Sequence, residues 1–66
     1  MRIVVNGTER EVPEGLTVKG LIRANGLEGK PCAVEVNKRL VPHREHETRV
    51  LSEEDRVELV SLVGGG

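Results

Sequence analysis

Apolar and polar positions alternate from the first residue. Met1, Ile3 and Val5 fall on one side of an extended chain, with Arg2 and Val4 on the other. That period of two predicts a strand over Met1–Val5. Asn6-Gly7 follows at once and supplies the two positive-φ positions of a type I′ hairpin turn. The return strand is then Thr8 to Val12. Its Glu9, Arg10 and Glu11 suit a sheet edge, where charge discourages pairing with another chain. Pro13 cannot donate to a ladder and ends it.

The period then changes. Val18, Leu21 and Ile22 share one helical face. Thr17 is the N-cap candidate, and Leu16 with Leu21 forms a hydrophobic-staple pair across the helix start. Gly26 occupies the place of a left-handed C′ residue, with Leu27 beyond it able to fold back on Ile22. Gly20 inside this helix costs about 1 kcal/mol relative to Ala, and close packing against a strand is one reason to keep it. Gly29-Lys30-Pro31 breaks the chain. Cys32 to Val36 alternates again, with Val34 and Val36 inward and Glu35 outward. Asn37-Lys38 turns, and Arg39-Leu40-Val41 is a short extension stopped by Pro42. His43 to Glu47 reads as a polar helical turn and Thr48 to Leu51 as a brief strand. Ser52 to Asp55 turns the chain into a final strand, Arg56 to Val63, and Gly64-Gly65-Gly66 ends it.

The pattern predicts an α+β domain, a mixed four- to five-stranded sheet with one main helix packed on one face. The last strand is apolar on both sides, which suits a central position with the first strand as parallel neighbour. Ile3, Val5, Leu21, Ile22, Val34, Val36, Val57 and Leu59 form the expected core. The division is a folded domain over 1–63 and a flexible Gly tail over 64–66.

Composition narrows the function. Sixty-six residues are one domain. Twenty Leu, Ile and Val are enough to fold, but a chain of this size leaves little room for a deep cleft. There is no Phe, Tyr or Trp to stack a base, and ten basic against eleven acidic groups leave no basic footprint. Nucleic-acid binding is therefore not expected. No apolar run is long enough to cross a membrane, and no signal-peptide pattern opens the chain. With Cys32 the only cysteine, a cytoplasmic location is the expectation. Charge is uneven: residues 1–43 carry seven basic and five acidic groups, residues 44–66 three and six. Glu53-Glu54-Asp55 is the densest acidic run, either a solvated turn or a docking patch for a basic partner.

Candidate chemistry is sparse. Cys32, near Lys30, is either a buried structural thiol or a reactive one. His43 and His46 have no further Cys or His to close a metal site and read as solvated polar residues. No nucleophile–base set and no phosphate loop is present. The Gly terminus is the unusual feature. Three glycines add nothing to a core, maximise backbone freedom and leave the last carboxylate bare of side chains. In isolation the same glycines also fit an untidy tail.

The chain resembles the ubiquitin-like β-grasp sulfur carriers, most closely the ThiS family of thiamin biosynthesis. The resemblance covers the whole chain. It rests on Ile3-Val4-Val5-Asn6-Gly7, Val34-Glu35-Val36-Asn37, Leu40-Val41-Pro42, Asp55-Arg56-Val57-Glu58 and the terminal Gly65-Gly66. One departure is Glu54, where the family usually has Gly before the Asp. The resemblance implies a carrier with no catalytic groups or cofactor of its own. A ThiF-like partner enzyme adenylates the Gly66 carboxylate with ATP and Mg²⁺. A persulfide donor converts the product to a thiocarboxylate, and a ThiG-like thiazole synthase takes the sulfur. Gly64 and Gly65 thread the partner's channel, where a Cβ would narrow the fit.

Alternation separately places Val4, Val60 and Leu62, beside Arg2 and Glu58, on the sheet face away from the helix. This is the expected partner-docking surface. Two other functions stay open on sequence: a sulfur carrier for molybdopterin, tRNA thiolation or cysteine synthesis, and a non-carrier ubiquitin-like module or modifier.

Overall fold

The computed structural model describes residues 1–62. The expectations for Val63 and for Gly64, Gly65 and Gly66 lie outside those residues. β1 (Arg2–Val5) and β2 (Thr8–Glu11) pair antiparallel around a tight turn. Asn6 and Gly7 take φ of 49° and 84°, the left-handed pair that such a turn requires. α1 (Val18–Ala24) follows, then β3 (Cys32–Val36), β4 (Arg39–Leu40), a 3₁₀ turn (His43–Glu45) and β5 (Arg56–Ser61). The strand order is β2-β1-β5-β3-β4. β5 is central, parallel to β1 and antiparallel to β3.

Both helix ends are closed by the residues the sequence marks. The Thr17 hydroxyl accepts from the Gly20 amide at 3.1 Å. At the other end Gly26 (φ 74°) donates to the Arg23 carbonyl, and Leu27 donates to the Ile22 carbonyl at 3.0 Å. These are the paired bonds of a Schellman cap. Gly20 has a different reason from the expected one. A Cβ there would lie 2.8 Å from Leu16 Cδ1, so the close neighbour is the staple leucine folding over the helix start, not a strand.

The eight expected core residues are all buried. Val18, Val41 and Leu51 join them. Val41 and Leu51 arrive from connections that show little regular structure. Thr48 to Leu51 forms no strand; it makes a single bridge, Thr17 with Val50, while the Leu51 amide donates to the Leu16 carbonyl. Val50 is half exposed, so nothing on its outer side rewards a longer ladder.

Two polar side chains inside the fold depart from the solvated reading. His46 is 6% exposed, and its Nε2 lies 3.1 Å from the Val41 carbonyl oxygen. The 3₁₀ turn swings this residue under the chain, where its backbone carbonyl also accepts from Lys19. Asp55 is 7% exposed, so the acidic run is not uniformly solvated. Its Oδ2 accepts from the Ser52 amide at 2.8 Å and its Oδ1 from Asn37 Nδ2 at 3.0 Å. One buried carboxylate thus joins the two turns at the start of β5. Among the described residues, no helix is long and apolar enough to cross a membrane.

Candidate functional site

β5 is the element that carries the chain toward Gly64-Gly65-Gly66, and both neighbours grip it. On the β1 side, the strand pairing covers Val4–Arg56 and Val5–Val57, then stops at the turn. Asn6 continues it with its side chain. Its Oδ1 accepts from the Leu59 amide at 2.8 Å, and its Nδ2 donates to the Leu59 carbonyl at 3.3 Å. An amide side chain presents the same donor and acceptor as a peptide, so Asn6 acts as one further residue of β1. On the β3 side, the Asn37 amide donates to the Arg56 carbonyl at 2.7 Å, and its Oδ1 accepts from the Arg56 amide at 2.9 Å. The β3 ladder then runs from Val36–Val57 to Cys32–Ser61, and the Leu62 amide donates to the Pro31 carbonyl at 2.9 Å. The strand is therefore fixed along its length up to the last described residue.

The five docking candidates do not form one patch. Arg2 and Val4 lie toward the start of β5, because Val4 is opposite Arg56. Val60 is four residues further on, about 13 Å at strand rise. Glu58 lies between. Arg2 is also engaged: its guanidinium meets Glu54 Oε2 at 2.6 Å and Glu9 Oε1 at 3.9 Å. The Glu54 hydrogen bond is the main cause holding its pKa above the ordinary arginine value. Val60 and Leu62 are more than half exposed. Val60 lies on the open face; Leu62, past the strand end, also lines a groove of about 570 Å³ with Ile22, Leu27, Cys32 and His46.

Leu40, at 65%, has the largest exposure among the described large apolar residues, yet it is not among the expected docking residues. Its signal was available. As the residue opposite Glu35 in a two-residue strand, it shares Glu35's outward face. Cys32 is half-buried rather than buried and packs beside the core. His43 is exposed and its ring centroid lies 5.2 Å from that of His46. Among the described residues no group of three His, Cys, Asp or Glu side chains is arranged to hold a metal ion.

A mixed five-stranded sheet with one helix on one face, and a central last strand, defines a ubiquitin-like β-grasp protein. The chain belongs to the ThiS family, whose model matches residues 3–66. It is similar to the thiamine biosynthesis protein (ThiS) of Geobacter metallireducens in its crystal structure. The TM-score is 0.83, with 28% identity over the whole of both chains. It is 33% identical over 66 residues to a thiazole synthase of Paramagnetospirillum magneticum and 36% identical over 66 residues to one of Magnetococcus marinus. The match takes in all of this chain but 20% of each of those proteins, so the chain spans about a fifth of their length. An uncharacterised protein of Porphyra purpurea, ycf40, is 30% identical over 64 residues and 90% covered.

Proposed function

We propose that the protein is a sulfur carrier for formation of the thiazole ring of thiamin, acting as co-substrate and not as an enzyme. The observation that carries the reading is the fixed central strand β5 leading into a glycine-only terminus, in a chain of the ThiS family. A side-chain-free segment reaches into an active site that the carrier itself does not supply. The strand behind it, held by Asn6 and Asn37, sets where that segment starts.

The reaction then belongs to the partners. The Gly66 α-carboxylate is ionised at neutral pH and is a poor electrophile. An adenylating enzyme attaches AMP from Mg·ATP and releases pyrophosphate. The outer sulfur of a persulfide donor displaces AMP from the mixed anhydride to give an acyl disulfide. A thiol then attacks the donor sulfur, so that the S–S bond passes to the thiol pair as a disulfide and the terminus is left as a thiocarboxylate. The thiazole synthase accepts that sulfur and returns the carboxylate. The two thiazole synthases that contain a region similar to this whole chain support that acceptor, since a carrier and its acceptor gain effective concentration on one chain. The proposed setting is the cytoplasm, where ATP and persulfide donors are present.

Intact mass tests the reading. After incubation with the adenylating enzyme, Mg·ATP, a persulfide donor and a thiol reductant, the mass rises by the exchange of one oxygen for sulfur. A mass unchanged with every such enzyme, or pathway output unaffected by deleting Gly65 and Gly66, ends the carrier reading. Thiazole rescue of a knockout's thiamin requirement assigns the pathway.

A further inference from the structure

The face of the sheet opposite α1 has no second layer among the described residues, and it holds two glutamates side by side, with Arg56 two positions before Glu58 on β5. Glu35 and Glu58 are directly opposite each other on β3 and β5, so their carboxylates leave the same face from Cβ atoms about 5 Å apart. Both are exposed. Like charges opposite each other weaken a sheet. Among the described residues no Lys or Arg lies within ion-pair distance of either. Six other surface glutamates are paired: Glu9 and Glu54 with Arg2, Glu28 with Arg23, Glu47 with Lys19, and Glu11 and Glu14 with the terminal amine. The pair also has an apolar border. Leu40 stands opposite Glu35 on its other side. Val60, opposite the half-buried Ala33, lies one step further along the same face. Leu40 and Val60 are 65% and 53% exposed.

We infer that this face docks a partner surface that inserts an arginine between Glu35 and Glu58 while aliphatic groups cover Leu40 and Val60. A guanidinium has donors enough to engage both carboxylates at once, and its flat faces tolerate apolar neighbours. Arginine ringed by apolar contact is a common anchor of protein interfaces. The repulsion is an unfavourable term in the free chain that the cation removes, so the pair favours the complex over the free state. Arg2 and Val4 lie outside this centre.

The inference deepens the carrier reading and rests on it for the choice of partner. The thiazole synthase of the same genome is the probe. Its binding to the chain is measured by titration calorimetry at low and moderate salt, for wild type, Glu35→Gln, Glu58→Gln and the double variant, with Glu45→Gln on the 3₁₀ turn as control. The double variant is expected to bind at least about tenfold more weakly, equivalent to roughly 1.4 kcal/mol, with a shallower salt dependence. Its melting temperature stays level or rises, because folding no longer opposes the two charges. Leu40→Ser weakens binding without touching charge. Wild-type affinity in the double variant, or no binding by wild type, overturns the inference. So does a loss that tracks a fall in melting temperature. Thiocarboxylate formation, read by mass on the wild type, is separate. If it occurs while the variants bind normally, only the docking inference fails. If it is absent while the variants bind weakly, only the carrier reading fails.

Discussion

The two tight turns flanking β5 share a geometry and differ in one residue. Asn6-Gly7 has φ of 49° and 84°; Asn37-Lys38 has 53° and 70°. In both, asparagine tolerates the left-handed first position, and in both its side chain reaches the central strand, at Leu59 in one case and Arg56 in the other. The second position is glycine in the first turn and lysine in the second. A lysine pays a left-handed penalty of about 1 kcal/mol there. The asparagine is thus the part of each turn that does structural work on β5, and the glycine is an economy that the second turn forgoes.

Breaking the shared part has the largest effect. Asn6→Ala and Asn37→Ala each lose two side-chain bonds and the tolerance of positive φ, and each lowers stability by about 2–3 kcal/mol. With about 4–8 °C per kcal/mol for a domain of this size, calorimetric melting shows a drop of at least roughly 8 °C. A drop in one turn only would mean that β5 is held from a single side. Asp55→Ala comes next, at about 2 kcal/mol, since it leaves the Ser52 amide and Asn37 Nδ2 without their acceptor. Its loss depends on Asn37, so Asp55→Ala combined with Asn37→Ala costs less than the sum of the two. Exchanging the differing residue is smaller and opposite in sign between the turns. Lys38→Gly raises stability by about 1 kcal/mol and Gly7→Lys lowers it by a similar amount; equal responses would refute the penalty argument. Glu54→Gly has the smallest effect. Glu54 sits at φ 69°, so glycine relieves strain, but the change also removes the exposed Arg2 pair, whose contribution solvent screening keeps small. The two effects oppose each other, so the melting temperature moves least of the set.

Much of this was legible because it is local. The Asn6-Gly7 turn, the Thr17 cap and the Gly26 cap are set by neighbours within a few residues. The period of two in Ile3, Val5, Val34, Val36, Val57 and Leu59 carried the core directly. What escaped depends on contacts distant in sequence. Asn6 and Leu59 lie 53 positions apart, and nothing near Asn6 announces that its amide prolongs a strand. His46 and Asp55 sit in polar runs, so periodicity places them in water; a 3₁₀ turn and a two-turn junction bury them instead. Thr48 to Leu51 has the residues of a strand and lacks a partner for its outer side. At the site, alternation found the open face but could not set the stagger of β1 against β5. That stagger separates Val4 from Val60.

The position of β5 has a mechanical consequence. Its ladder bonds to β1 and β3 run across the strand, so a pull applied along it at Leu62 loads them together in shear. A terminal strand at a sheet edge, drawn sideways, would instead give way one bond at a time. A partner that grips whatever follows Leu62 and draws it along the strand axis therefore works against the whole width of the sheet, and the carrier can be tugged without being unravelled.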